Sequence, residues 1–205
     1  NGDAGFVEVW NLVMIEPDGI WCDVRTVDRA ENLPALFLDR DGTLIELVDY
    51  LSEPDDVRLI DDAVDLIRAA NRAGTAVVIV TNQSGIGRGY YDWEAFEAVQ
   101  RRLHELLAGA GAVVDAVYAC PHPPPEAGGP SNSLYRKPAP GMLLRARDDL
   151  LLDLAASRIV GDTAIDMAAG KAAGVKSGIL VGTGYGIRDR ADALALSGDG
   201  FSVSV

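Results

Sequence analysis

Asp39 and Asp41 are the residues of this 205-residue chain best suited to chemistry. An apolar strand, Ala35 to Leu38, is expected to deliver both carboxylates, spaced i, i+2, onto a tight turn at Gly42. Neither can stay in the core unpaired, because desolvating bare charge costs too much. The arrangement that resolves this sits at the strand's carboxyl edge around a hard cation, with one carboxylate free to attack phosphorus. Asp39 reads as that nucleophile. Asp41 is then placed to protonate the leaving oxygen, and later to deprotonate the water that hydrolyses an aspartyl-phosphate. Mg²⁺ suits such a site because it binds through one or two carboxylates and neutralises charge on both reacting partners. Thr43 is expected to fix the turn through its hydroxyl.

Other segments supply matching groups. Asp162, in Gly161-Asp162-Thr163, reads as a third metal carboxylate or a helix N-cap, and Asp166, one helical turn on, as an orienting or capping group. Thr81 offers a hydroxyl, and the turn Asn82-Gln83-Ser84-Gly85 offers backbone N–H groups to phosphoryl oxygens. Arg136-Lys137 brings two cations into an acidic chain. Lys137 can bridge nucleophile and phosphoryl oxygens as a point charge, while Arg136 forks onto a second part of the substrate. Arg88 is a further candidate contact.

These groups need a scaffold that gathers strand ends. From Ala35 onward, β-branched apolar runs alternate with helical patterns, which predicts a mainly parallel sheet between two helical layers. Strands are expected at Ala35–Leu38, Ala76–Val80, Ala116–Ala119, Arg158–Val160 and Gly178–Val181. Helices are expected near Asp62–Arg72, Asp92–Leu107, Gly141–Leu150 and Ile165–Ala173, with Asp92 as an N-cap and Gly74, Gly109 and Gly174 at C-termini. In such a sheet ligands bind beyond the carboxyl ends of the strands, where the residues above converge. Residues 1–33 read as an N-terminal extension forming a β-hairpin about the turn Glu16-Pro17-Asp18-Gly19, and residues 34–205 as the main domain. Residues 121–140, rich in Pro, Gly and Ser, read as one long loop.

The composition narrows the partners. Eighteen Lys and Arg against 31 Asp and Glu leave a formal charge of −13, which repels nucleic-acid phosphates. No apolar run reaches the roughly 20 residues of a membrane span, and no secretory pattern is present. Two cysteines fit a reducing compartment. The expectation is a cytoplasmic protein, monomeric or a weak homodimer, with a small phosphorylated sugar as partner and neither nucleic acid nor membrane.

Phe37-Leu38-Asp39-Arg40-Asp41-Gly42-Thr43, Val80-Thr81-Asn82-Gln83-Ser84-Gly85, Cys120-Pro121-His122-Pro123, Arg136-Lys137-Pro138 and Val160-Gly161-Asp162 together resemble the haloacid dehalogenase (HAD) superfamily. More narrowly, they resemble its D,D-heptose 1,7-bisphosphate phosphatases and the related histidinol-phosphate phosphatase domains. The resemblance runs from about Pro34 to Thr183 and leaves the first 30 or so residues uncovered. It implies a three-layer α/β/α Rossmannoid domain with a minimal cap, Asp39 as nucleophile and Asp41 as acid/base. It also implies Mg²⁺ on Asp39, the Asp41 main-chain carbonyl and Asp162, with Thr81 and Lys137 on the phosphoryl group and Arg136 on substrate. The segment Leu47 to Tyr50, including Asp49 and Tyr50, would line the pocket.

The chain departs from that family at one place. Members often hold a structural zinc through Cys-x-His and then Cys-x-Cys directly before Arg-Lys-Pro. Here Cys120 and His122 supply the first pair, but Ser133 and Tyr135 stand where the second belongs. Closed zinc sites need four N or S ligands, so no structural zinc is expected. The function implied is Mg-dependent hydrolysis of a phosphomonoester, foremost of D-glycero-D-manno-heptose 1,7-bisphosphate at its 7-phosphate. Histidinol-phosphate hydrolysis, a nucleic-acid-end phosphatase and a non-catalytic phosphate-binding module are the alternatives.

Overall fold

The computed structural model describes residues 10–15, 19–25, 32–130 and 132–205. In chain order it contains β1 (Trp10–Ile15), β2 (Trp21–Arg25), β3 (Leu33–Leu38), α1 (Asp61–Arg72), β4 (Ala76–Asn82), the short α2 (Ser84–Gly87), α3 (Trp93–Gly109), β5 (Ala116–Cys120), α4 (Gly141–Leu150), β6 (Leu152–Gly161), α5 (Ala164–Ala173), β7 (Ser177–Leu180), α6 (Gly186–Ala195) and β8 (Ser202–Ser204).

One eight-stranded sheet runs in the order β1-β2-β5-β4-β3-β6-β7-β8. From β5 to β8 every neighbouring pair is parallel. The central strands are apolar on both faces because both faces are covered. On β3, Leu36 and Leu38 pack with Val77, Ile79, Phe96 and Leu103 on the α1/α3 side. Ala35 and Phe37, alternating with them, pack with Val78, Val80, Met142 and Leu143 on the α4/α5 side. A three-layer α/β/α architecture follows.

Strands β1 and β2 pair antiparallel, and β2 pairs antiparallel with β5 along Trp21–Val24, so the extension lengthens the main sheet at its edge. Residues 16–18 of the predicted turn, and residues 1–9 and 26–31 of the predicted extension, lie outside the described residues. Asp92 caps α3 by accepting from Ala95 N at 2.9 Å. Gly174 is the left-handed C-cap of α5, and Gly74 takes φ +69° one residue past the α1 cap. Gly109 instead lies inside α3, whose chain turns two residues later at Gly111 (φ +69°). Strand β6 begins at Leu152, earlier than Arg158, because Leu152 and Asp153 pair with Leu33 and Pro34 before a register shift. The elements α6 and β8 escape periodicity reading: α6 buries only Gly186 and Ala193, and β8 is three residues long. No helix among the described residues is long and apolar enough to cross a membrane.

Candidate active site

Asp39 follows β3, Thr81 and Asn82 end β4, and Asp162 follows β6; these three strands are adjacent and parallel. Their carboxyl ends open onto a cleft of about 420 Å³, a size suited to a small sugar phosphate. Asp39, Asp41, Thr81, Lys137 and Asp162 line it, as do Asp49, Tyr50, Asn82, Gln83, Ser84 and Arg136. Arg88 does not line it; its positive charge adds to burial in lowering the Arg136 pKa, and its Nε is buried without a hydrogen-bond partner.

Lys137 is the centre of charge. Its Nζ donates to Asp39 Oδ1 at 2.6 Å, Asp166 Oδ1 at 2.6 Å and the Val80 carbonyl at 2.7 Å, which uses all three ammonium protons. Burial pulls its pKa down, but Asp166 and Asp39 pull harder the other way, so the ammonium is held. The carboxylates of Asp39, Asp162 and Asp166 offer oxygens within 4.8 Å of one another. One ammonium cannot balance three carboxylates. Burial therefore pushes the Asp39 carboxyl up to about 8, opposed by Lys137 and reinforced by Asp166, Asp162 and Asp41. Asp162 is likewise raised by burial, to about 6, against a hydrogen bond from Tyr185 N at 2.8 Å. A divalent cation would relieve this surplus, and the hard oxygen donors suit Mg²⁺.

Asp166 serves two partners: Oδ1 holds Lys137, while Oδ2 accepts from Thr163 N at 3.1 Å and Thr163 Oγ1 at 2.5 Å. Thr163, rather than Asp162, is thus the N-cap of α5. Gly42 is required twice over. Its φ of +83° favours glycine, and a Cβ there would strike Asp162 Oδ2. Thr43 does not act as expected: its buried Oγ1 has no hydrogen-bond partner, and the turn is held by Leu44 N and Ile45 N on the Arg40 carbonyl at 2.9 and 3.0 Å.

Asp41 is gripped from one side. Arg40 forks onto it, Nε to Oδ2 at 3.1 Å and Nη2 to Oδ1 at 3.0 Å, and Gln83 Nε2 donates to Oδ2 at 2.8 Å. Gln83 Nε2 also donates to Thr81 Oγ1 at 2.8 Å, and Gln83 Oε1 accepts from Tyr91 at 2.6 Å. The long loop is pinned at its end. Asn82 clamps the Lys137 backbone, accepting from its N at 3.0 Å and donating to its carbonyl at 3.1 Å. Ser133 Oγ accepts from Arg136 N at 3.1 Å and lies 2.8 Å from His122 Nδ1, while Arg136 Nη1 donates to the His122 carbonyl at 2.8 Å.

A HAD-hydrolase-like family model matches residues 134–201. The D-glycero-β-D-manno-heptose-1,7-bisphosphate 7-phosphatase of Mesorhizobium japonicum is 50% identical over 174 residues, 82% of this chain and 78% of that protein. The enzyme of the same name from Escherichia coli K12 is 42% identical over 168 residues, covering 81% and 88%. This chain belongs to that family of HAD phosphatases. Among solved structures, D,D-heptose 1,7-bisphosphate phosphatase from B. bronchiseptica, complexed with magnesium and phosphate, superimposes with a TM-score of 0.73 at 33% identity, covering 83% of this chain and 92% of that one.

Within this phosphatase, several neighbours of the site carried no sequence signal. Tyr185 N on Asp162 and Thr183 Oγ1, donating to the Gly42 carbonyl at 2.6 Å, come from the turn before α6. Ile165 lines the cleft from the first turn of α5, and Tyr91, at the end of the motif that begins at Val80, lines it from the turn before α3. Arg40 stands between the two aspartates, in plain sight, but its burial (1% exposed) depends on partners distant in sequence.

Proposed function

We propose that this phosphatase removes the 7-phosphate of D-glycero-β-D-manno-heptose 1,7-bisphosphate, with Asp39 as nucleophile. The observation that carries the reading is the buried Lys137–Asp39 pair beside the Asp162 carboxylate, at the carboxyl edge of the central strands. Asp39 and Asp162, with the Asp41 main-chain carbonyl, would hold Mg²⁺. When bound, that ion neutralises charge on the nucleophile and on the phosphoryl oxygens. Lys137 fixes Asp39 Oδ1 and stabilises negative charge on the transferring group. Asp39 attacks phosphorus as the P–O ester bond breaks, and Asp41 gives its proton to the departing alkoxide. Asp41 then accepts a proton from the water that cleaves the aspartyl-phosphate, releasing phosphate and restoring both groups. Thr81 and the backbone after it face the phosphoryl oxygens, Arg136 the distal part of the sugar phosphate, and Asp49 and Tyr50 the cleft wall.

No zinc enters this reading of the long loop. Two of its four expected positions are Ser133 and Tyr135, and the Ser133 hydroxyl already bonds the His122 ring.

The test is phosphate release from heptose bisphosphate, other sugar bisphosphates, histidinol phosphate and nucleotides. Heptose bisphosphate should be preferred, EDTA should silence the enzyme and Mg²⁺ restore it. Asp39→Asn should keep the fold by circular dichroism and lose turnover. Appreciable turnover by Asp39→Asn removes it as nucleophile, and preference for histidinol phosphate removes the substrate assignment.

A further inference from the structure

Arg40 is a buried cation with an incomplete set of partners. Its guanidinium spends Nε and Nη2 on Asp41 and Gln83, yet buried Nη1 has no hydrogen-bond partner. What covers it is a ring: Cζ lies 5.3 Å from the centroid of Phe96, itself fully buried on α3. That ring is fixed in turn by two others. Trp21 meets it edge to face at 5.0 Å and 80°, and Trp93 at 5.6 Å and 83°. Trp21 belongs to β2, is 2% exposed, and anchors its indole N–H on Glu97 at 3.0 Å. A continuous set of contacts therefore runs from the N-terminal hairpin to a carboxylate of the cleft.

We propose that Arg40 is the positioning residue for Asp41, and that the hairpin holds Arg40 in place through Trp21 and Phe96. The inference rests on Asp41 as the acid/base of the proposed mechanism. A planar fork accepted by both carboxylate oxygens sets the torsion of the Asp41 side chain as well as its distance, which a point charge cannot do. Proton transfer to a leaving alkoxide needs that orientation, because it works only within hydrogen-bond reach. Gln83 ties the same carboxylate to Thr81, so acid/base and phosphoryl contact share one register. The hairpin, outside the segment that carries the family motifs, thereby acquires a part in the chemistry.

Leaving-group dependence separates this role from a merely structural one. An alkyl phosphate needs a proton on its departing oxygen, whereas p-nitrophenyl phosphate expels an ion stable without one. In Arg40→Lys, kcat/KM for the sugar phosphate should fall by roughly tenfold or more, while that for p-nitrophenyl phosphate stays within about threefold, since general acid catalysis contributes on the order of 10²–10⁴. Inhibition by orthophosphate should be unchanged. Trp21→Leu should shift the ratio of the two substrates the same way, and Trp21→Phe should keep the wild-type ratio. Phe96→Leu replaces Trp21→Leu if circular dichroism shows the latter unfolded. An unchanged ratio in Arg40→Lys overturns the positioning role, and an unchanged ratio in the aromatic variants overturns the link to the hairpin. Asp41→Asn is the control: if it too leaves the ratio unchanged, the acid/base assignment itself has failed, a distinct result.

Discussion

Lys137→Met should unfold the protein more easily while leaving it foldable, and the amount can be worked out. The ammonium is 3% exposed and faces two carboxylates, Asp166 at 2% and Asp39 at 12% side-chain exposure. Methionine fills the space but leaves the Asp166 carboxylate, and Asp39 in its ionised form, without their shared buried cation, and removing one partner of a buried pair costs about 3–5 kcal/mol. At about 2–4 °C per kcal/mol for a chain of this size, Tm should drop by roughly 6–20 °C in metal-free buffer. Adding Asp166→Asn should return part of the loss, because it removes one stranded charge and keeps an oxygen for the Thr163 cap. Mg²⁺ should raise Tm more in Lys137→Met than in wild type, since it supplies the missing positive charge. Differential scanning fluorimetry with and without Mg²⁺ reads all three, and kcat should fall by about 10²–10³, as for loss of one transition-state charge contact. A Tm change under about 2 °C, or additive losses in the double variant, would refute the electrostatic account.

Three other outcomes follow from the structure. Asp23, on β2, is buried, its Oδ1 has no hydrogen-bond partner, and burial, then Glu97, pushes its pKa up to about 6. The folded state therefore binds this proton more tightly than the unfolded chain, so the contribution to stability is complete below about pH 4 and lost as pH rises through 6. Asp23→Asn should raise Tm at pH 7 and lose that advantage near pH 4 in a melting series; an advantage that grows towards low pH would reverse the sign argued here. Ser133→Ala removes the hydroxyl that accepts from Arg136 N and pairs with the His122 ring, so KM should rise several-fold with kcat less affected. Elemental analysis of the wild-type protein should show zinc well below one per chain, whereas Ser133→Cys with Tyr135→Cys, completing four ligands with Cys120 and His122, should take it up. Stoichiometric zinc in wild type would contradict the hydroxyl-pinned loop.

The chemistry of this chain was written locally where it depends on short spacing. Alternating apolar residues in Ala35–Leu38, the i, i+2 aspartates and Gly42 specify a buried strand ending in carboxylates, because strand period and turn sterics act over a few residues. The same holds for the central strands and for helices with a strong apolar face, such as α1 and α3. Sequence could also nominate Lys137, Thr81 and Asp162, since each follows a recognisable strand or motif. What it could not decide was which groups would face one another. Lys137 reaches Asp39 across 98 positions, and Thr183 reaches Gly42 across 141. Neither pairing leaves a trace in local periodicity. Arg40 illustrates the division best. Its place between two aspartates says nothing of whether it is buried or which group it will face. Only the packing of Phe96 and Trp21 above it, through contacts between α3 and a hairpin on the sheet edge, removed it from water and turned it onto Asp41. Burial and electrostatic pairing are properties of the assembled sheet, because desolvation depends on every atom that displaces water, however far along the chain it lies.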